Sequence, residues 1–223
     1  MTGATIDENL AHVRRRIAVA AGQAGRRAES VTLVAVSKTV PPSAIDEAVA
    51  AGQRDFGENR AQELVAHAAA VPDETLRWHF VGRLQSNKVK AIAPIVSCWQ
   101  SVDRPELGPV IARYAPGAEV LVQVNVGAEP QKGGCPPAET PALVDQLREH
   151  GLLVRGLMTV PPVGEDPRPH FEAIRTLGER LGLAELSMGM TGDYEVAIAA
   201  GATIVRVGTA VFGARPSLTG PPL

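Results

Sequence analysis

One pattern in this 223-residue chain restricts its fold more than any other. Short runs rich in β-branched residues alternate, almost from end to end, with stretches whose apolar residues recur at helical spacing. The runs are Val31–Ser37, Arg54–Gly57, Arg77–Val81, Ile95–Ser101, Glu119–Asn125, Val154–Val160, Glu185–Met188 and Thr203–Val207. Between them lie helical segments such as Ser43–Ala51, Arg60–Ala70, Arg104–Tyr114, Ala138–His150 and His170–Leu181. Such alternation marks successive βα units around a parallel sheet. Eight units in a chain of this length predict an α/β fold, a single (β/α)8 barrel domain over residues 1–223. An open, doubly wound sheet is the rival architecture, and no Gly-, Ser- or Pro-rich linker divides the chain. One extra helix precedes the first strand. Its apolar stripe is Ile6, Leu10, Val13 and Ile17, and Thr5 with Glu8 supplies a capping box. The Pro-rich end, Pro216–Leu223, is expected to fray.

Composition narrows the class of function. A hydrophobic share of 45% and a net charge of -2 exclude a disordered chain. The same charge balance argues against a nucleic-acid partner, which needs a basic surface. Arg14, Arg15 and Arg16 form the one dense basic run and read as a solvated helix face, while Asp7 and Glu8 count against a transit peptide. No apolar stretch has the length of a signal sequence or membrane span, so a cytoplasmic protein with no membrane partner is expected. Cys98 and Cys135 have no second ligand at metal-like spacing, and His12, His67, His79, His150 and His170 are scattered, so no metal is expected.

The chemistry concentrates at the C-terminal strand ends, where barrels of this class carry their sites. The run Val31–Ser37 ends on Lys38, and Thr39 with Pro41 and Pro42 prevents the strand from continuing. Lysines number four, Lys38, Lys88, Lys90 and Lys132, against eighteen arginines. A lysine ending an apolar strand is therefore conspicuous. It is either a snorkelling side chain or an amine held in a partly dry pocket, where a lowered pKa permits Schiff-base formation with an aldehyde or ketone. After the seventh and eighth strands, Ser187-Met-Gly-Met-Thr-Gly-Asp193 and Arg206-Val-Gly-Thr209 read as phosphate cradles, because Gly admits backbone N–H groups and hydroxyls add donors. Barrel closure sets the eighth strand beside the first, so one ligand with an aldehyde at one end and a phosphate at the other spans both. Pyridoxal 5′-phosphate meets that description, and so does a sugar phosphate in a Schiff-base aldolase.

The motifs also match a known family along nearly the whole chain. Val34-Ala-Val-Ser-Lys-Thr39, Phe56-Gly-Glu-Asn59, Trp78-His-Phe-Val-Gly82, Leu84-Gln-Ser-Asn-Lys88, Arg155-Gly-Leu-Met158, Leu186-Ser-Met-Gly-Met190 and Val205-Arg-Val-Gly-Thr-Ala-Val-Phe-Gly213 carry the match. The sequence resembles the pyridoxal phosphate homeostasis proteins, whose barrel is similar to that of alanine racemase. The resemblance implies that Lys38 is the internal-aldimine lysine and that Asn59 and His79 line the pocket. It implies that Ser187, Gly208, Thr209 and the Thr191 loop handle phosphate, that Arg206 faces the pyridine nitrogen, and that Met190 lies close to the cofactor. A core role for His79 is the alternative. Arg206, among Ile204, Val205 and Val207, needs an acceptor in any case. The chain departs from the family pattern at Arg60, at Thr191-Gly192 and at Gln131-Lys132-Gly133.

An arginine facing the pyridine nitrogen leaves that nitrogen unprotonated and weakens the electron sink on which carbanion chemistry depends. Racemases that resemble this barrel add a second base from a further domain. Here the tyrosines are Tyr114, in a helix end, and Tyr194, read as packing or solvent-facing. The leading expectation is therefore a protein that holds pyridoxal phosphate on Lys38 and buffers or delivers it, with little turnover and transient contact with client enzymes. It is expected as a monomer or weak homodimer, with Lys132 either a secondary acceptor or an exposed loop lysine. An amino-acid racemase or lyase and a cofactor-free aldolase are the alternatives. The leading expectation predicts protein that is yellow as isolated, and a colourless preparation that still cleaves sugar phosphates favours the aldolase.

Overall fold

Each of the eight runs forms a strand in the computed structural model, which describes residues 4–129 and 132–213. The strands are β1 (Thr32–Val36), β2 (Asp55–Glu58), β3 (Arg77–Phe80), β4 (Val96–Val102), β5 (Glu119–Val124), β6 (Leu153–Thr159), β7 (Glu185–Ser187) and β8 (Ile204–Val207). All pairs are parallel and each strand lies beside the next in sequence. The sheet closes where β8 pairs with β1, with Val34 opposite Arg206 and Ala35 opposite Val207. Closure disposes of the doubly wound alternative. No expected bound shifts by more than one residue, the range within which strand ends differ between a ladder of hydrogen bonds and an apolar pattern.

Strand periodicity divides the core in two. Leu33 and Ala35 of β1 join the large apolar shell between strands and helices, whereas Val34 joins a small cluster inside the barrel with Cys98, Leu121, Met158 and Ile204. On the same parity, Val36 and Lys38 face inward above that cluster. Both cysteines are buried, and burial pushes both thiols up, away from the reactive thiolate. Among the described residues no helix is long and apolar enough to cross a membrane, and no cluster of potential ligands could hold a metal ion.

Helix α1 (Ile6–Gln23) forms with the expected capping box. The Thr5 hydroxyl accepts from the Glu8 amide and the Glu8 carboxylate accepts from the Thr5 amide. It buries Leu10, Val13 and Ile17. The basic run is exposed, as expected of a solvated face, and two of its arginines make contacts there. Arg14 donates to the Ala51 carbonyl at 2.8 Å, and Arg16 makes a forked pair with Glu195 at 2.6 and 2.8 Å while lying over the Tyr194 ring. The predicted helices form as α2 (Pro42–Ala50), α3 (Ala61–Ala70), α5 (Leu107–Tyr114), α6 (Thr140–Glu149) and α7 (Arg168–Leu181). Three short ones, α4 (Ser86–Ile92), α8 (Tyr194–Ala199) and α9 (Thr209–Phe212), complete the described units. The expected fraying at 216–223 and the departure at Gln131 fall outside the described residues.

The upper ends of β2 and β3 approach so closely that a side chain at Gly82 would overlap the backbone of Asn59. Replacing Gly82 with Ala should therefore destabilise the barrel by roughly 1–3 kcal/mol, as overpacking against backbone does. Urea denaturation checks this, and an unchanged midpoint contradicts the close approach.

Candidate functional site

A cavity of about 670 Å³ opens at the C-terminal end of the barrel, inside the roughly 300–1,000 Å³ range of small-molecule sites. Its first wall comes from β1. Val36 and the half-buried Lys38 line the cavity, and the chain turns sharply beyond them. Thr39 takes φ of 62°, the left-handed region that a β-branched residue rarely adopts. Two bonds hold it there: its amide donates to Glu63 Oε2 at 3.2 Å and its hydroxyl to the Lys38 carbonyl at 2.6 Å. Backbone strain of this kind costs of order 1–3 kcal/mol and persists only where the surroundings impose it.

Behind Lys38 the chain is anchored a second time. The Ser37 hydroxyl donates to Glu58 Oε1, and the same oxygen takes a bond from His67 Nδ1 at 2.8 Å. Glu58 is fully buried and its second oxygen has no partner. Burial pushes its carboxyl above the usual range, while the bonds from Ser37 and His67 pull it part of the way back.

The remaining walls carry polar groups that converge. Asn59 follows β2, and its Oδ1 is buried without a hydrogen-bond partner. On the far side, Met190, Thr191 and Gly192 form the turn into α8. Gly189, at φ 94°, starts this turn where a side chain would press on Ala197 and Tyr194, and its carbonyl accepts from the Arg206 amide at 3.0 Å. Arg206 itself lines the cavity although it is 5% exposed. Its Nη1 donates to Ser187 Oγ and its Nη2 to the Thr159 carbonyl, both at 2.7 Å. Burial lowers its pKa to about 10, with Asp193 opposing the shift, so the guanidinium is charged at neutral pH. Both bonded partners are neutral. Gly208 and Thr209 then open α9, whose leading amides have no acceptor within the helix, and the Thr209 hydroxyl donates to Thr191 Oγ1 at 3.3 Å. An amine, a cation among neutral partners and a set of hydroxyl and amide donors thus face one space, with Asn59 in its wall.

Of the nine residues singled out in the sequence, Lys38, Asn59, Met190, Thr191, Arg206, Gly208 and Thr209 line this cavity. His79 and Ser187 do not. His79 is level with Gly57 in the β2–β3 register, two residues below the wall residue Val81, and Ser187 is opposite Ile204, two below Arg206. Both lie fully enclosed beneath the floor. Ser187 therefore meets Arg206 rather than the cavity. Lys132 stands apart: it is paired with Glu129 at 2.6 Å and donates to the Pro161 carbonyl at 2.9 Å, so it is a tethered loop residue rather than a plainly exposed one. Glu63 and Thr159 escaped sequence reasoning, one an ordinary helix-surface acid and the other acting through its backbone carbonyl. Glu58 was visible inside Phe56-Gly-Glu-Asn59, but nothing in the motif says that it faces α3.

A profile described as alanine racemase, N-terminal domain, matches residues 8–216. A Pseudomonas aeruginosa protein named pyridoxal phosphate homeostasis protein is 46% identical over 221 residues, covering 95% of this chain and 96% of that one. The chain belongs to the pyridoxal phosphate homeostasis protein family. An Escherichia coli K12 protein of the same name is 40% identical over 226 residues, or 94% of this chain and 97% of that one. Among solved structures, PipY of Synechococcus elongatus, described with PLP bound, matches with a TM-score of 0.81 and 38% identity over 94% of this chain and 100% of that one. A Vibrio vulnificus lysine/ornithine decarboxylase, at 16% identity and a TM-score of 0.69, shares only the fold, over 92% of this chain and 61% of that enzyme. The homeostasis proteins thus match this barrel over nearly their full length, whereas the decarboxylase extends well beyond it.

The raised Glu58 carboxyl has a pH consequence. A carboxyl whose folded pKa exceeds its unfolded value contributes stability below the unfolded pKa and loses it as pH rises through the folded one. The stability of the wild type relative to Glu58→Gln should accordingly fall as pH rises above the usual carboxylate range. Urea midpoints at a series of pH values check this, and a wild-type advantage that grows with pH contradicts it.

Proposed function

We propose that this chain binds pyridoxal phosphate in the barrel-mouth cavity and acts in its homeostasis within the cytoplasm, buffering or delivering it with little or no catalytic turnover. The observation that carries the reading is the pairing of β1 with β8, which sets the Lys38 amine and the Arg206–Gly208–Thr209 donors around one cavity. The residues present suit that ligand. A hydroxyl and amide cluster at Thr191, Gly208 and Thr209 offers donors to a phosphate, and Asn59 stands in the same cavity wall. When bound, pyridoxal phosphate supplies an aldehyde that amines take up reversibly.

The roles of the chain's own groups follow from their surroundings. Lys38 projects its amine from a strand end that Glu58 and Glu63 anchor through Ser37 and Thr39. Arg206 can only donate, so any ring nitrogen facing it must accept and stay unprotonated. A carboxylate in that position would hold a proton on the nitrogen, and Arg206 has no carboxylate bonded to it among the described residues. Sustained proton transfer to carbon would also need a second base. Tyr194 does not serve: its ring is buried beneath Arg16, and it does not line the cavity. Tyr114 lies exposed at the end of α5. These features support loading and release over racemisation or lyase chemistry. The homologues' names and the PLP-bound PipY structure support the same reading.

The test is absorbance during addition of amino acids to the protein preloaded with pyridoxal phosphate. One stoichiometric spectral change with no accumulating product is expected, whereas continued turnover restores the racemase or lyase alternative. Lys38→Ala should abolish the visible band of the loaded protein and leave only weak, freely dialysable binding. An unchanged band in that variant contradicts the assignment.

A further inference from the structure

Inside a parallel barrel, inward-facing polar side chains stand in layers and must satisfy one another, because water does not reach them. From Arg206 in the cavity wall downward, five such side chains form a continuous line. Arg206 Nη1 meets Ser187 Oγ at 2.7 Å, Ser187 Oγ meets Gln100 Oε1 at 2.7 Å, Gln100 Nε2 meets His79 Nδ1 at 2.8 Å, and His79 Nε2 meets Asp55 Oδ1 at 2.9 Å. Gln100 and Ser187 are fully buried and His79 is nearly so. Asp55 reaches the lower part of the barrel, where its carboxylate is also 3.5 Å from the half-exposed Arg77.

The chemistry of the two ends, together with the orientation of the Gln100 amide, its Oε1 toward Ser187 and its Nε2 toward His79, fixes the direction of every link. A guanidinium has only donors, so Ser187 accepts from Arg206 and its own proton goes to Gln100 Oε1. A carboxylate has only acceptors, so His79 Nε2 carries the proton that goes to Asp55. That leaves Nδ1 of a neutral imidazole as an acceptor, which the Gln100 amide donates to. Gln100 is the one member that both accepts from a hydroxyl and donates to an imidazole, and its two ends are set at the distances each bond requires. We propose that Gln100, His79 and Asp55 are positioning residues, holding the Arg206 guanidinium against the cavity through a hydrogen-bond chain of fixed direction that runs to the far end of the barrel. The line also gives the buried cation a carboxylate at its far end, although its direct partners are neutral. Chains of aligned hydrogen bonds polarise one another, so the anchoring of Arg206 depends on groups that never touch the cavity. The consequence for binding rests on the reading above that Arg206 faces pyridoxal phosphate, but the direction of the chain does not.

Two measurements test it. Nitrogen-15 NMR of the histidine rings in the ligand-free protein should show His79 with a proton on Nε2 and none on Nδ1. Gln100→Glu, which places an acceptor opposite Nδ1, should draw a proton onto that nitrogen. A wild-type Nδ1 proton, alone or together with one on Nε2, overturns the proposed direction. Gln100→Leu should weaken pyridoxal phosphate binding roughly tenfold or more, the effect of losing support for a charged hydrogen bond, while the loaded protein keeps its Lys38 linkage. Ser187→Ala serves the same purpose should Gln100→Leu fail to fold, and its melting temperature reports whether a loss is merely structural. Wild-type affinity in a folded variant overturns the positioning role. Wild-type protein that binds no pyridoxal phosphate contradicts the functional reading and leaves the NMR result to decide the direction of the chain.

Discussion

The pairing of β8 with β1 is the contact on which the rest of the molecule depends. It converts a row of βα units into a closed wall and leaves no edge strand exposed. It also fixes register, and register decides which side chains share a level. With Val34 opposite Arg206, the next inward positions, Val36 and Gly208, form the cavity wall, and Lys38 rises above them at the rim. Slipping the pair by one residue would turn Arg206 out toward the helices and Val205 or Val207 inward. Amine and cation would then no longer share a space.

A buried guanidinium is costly, and this barrel accommodates it in an unusual manner. Its direct partners are a hydroxyl and a backbone carbonyl, which satisfy hydrogen-bonding geometry without neutralising charge. A bonded carboxylate would stabilise the cation more, but it would also occupy donors that face the cavity. The arrangement keeps the charge available to a ligand at some expense in stability. Glu58 shows a similar compromise behind Lys38: its buried carboxyl, with one oxygen unpartnered, fixes Ser37 and so the base of the lysine. Thr39 adds local strain at the same rim. Features that cost stability cluster on the cavity, as they do where binding rather than packing has shaped the chain.

Much of this was legible in the sequence. Most of the strands were, because a buried parallel strand needs a dense apolar run and little else uses one. Lys38 stood out because a lysine closing such a run has few structural uses, and Arg206 because its three apolar neighbours, Ile204, Val205 and Val207, cannot satisfy it. Depth was harder to read. His79 and Ser187 carry polar groups on the correct inward faces, but they sit one layer down, and a layer is set by how adjacent strands are staggered rather than by any local pattern. Gln100 left no signal, since one polar residue at the end of Ile95–Ser101 reads as a strand end. α9 was invisible because four residues give no helical period. The left-handed turn at Thr39 lies where propensity forbids it, and only the surrounding bonds explain it.

Borohydride reduction of the protein loaded with pyridoxal phosphate, followed by peptide mapping, tests the central claim most directly. The claim requires one covalent label, on Lys38, with inorganic phosphate competing for loading because the anion donors belong to the same cavity. A label on Lys88, Lys90 or Lys132 with Lys38 unmodified, or labelling of Lys38 that phosphate does not affect, would contradict it.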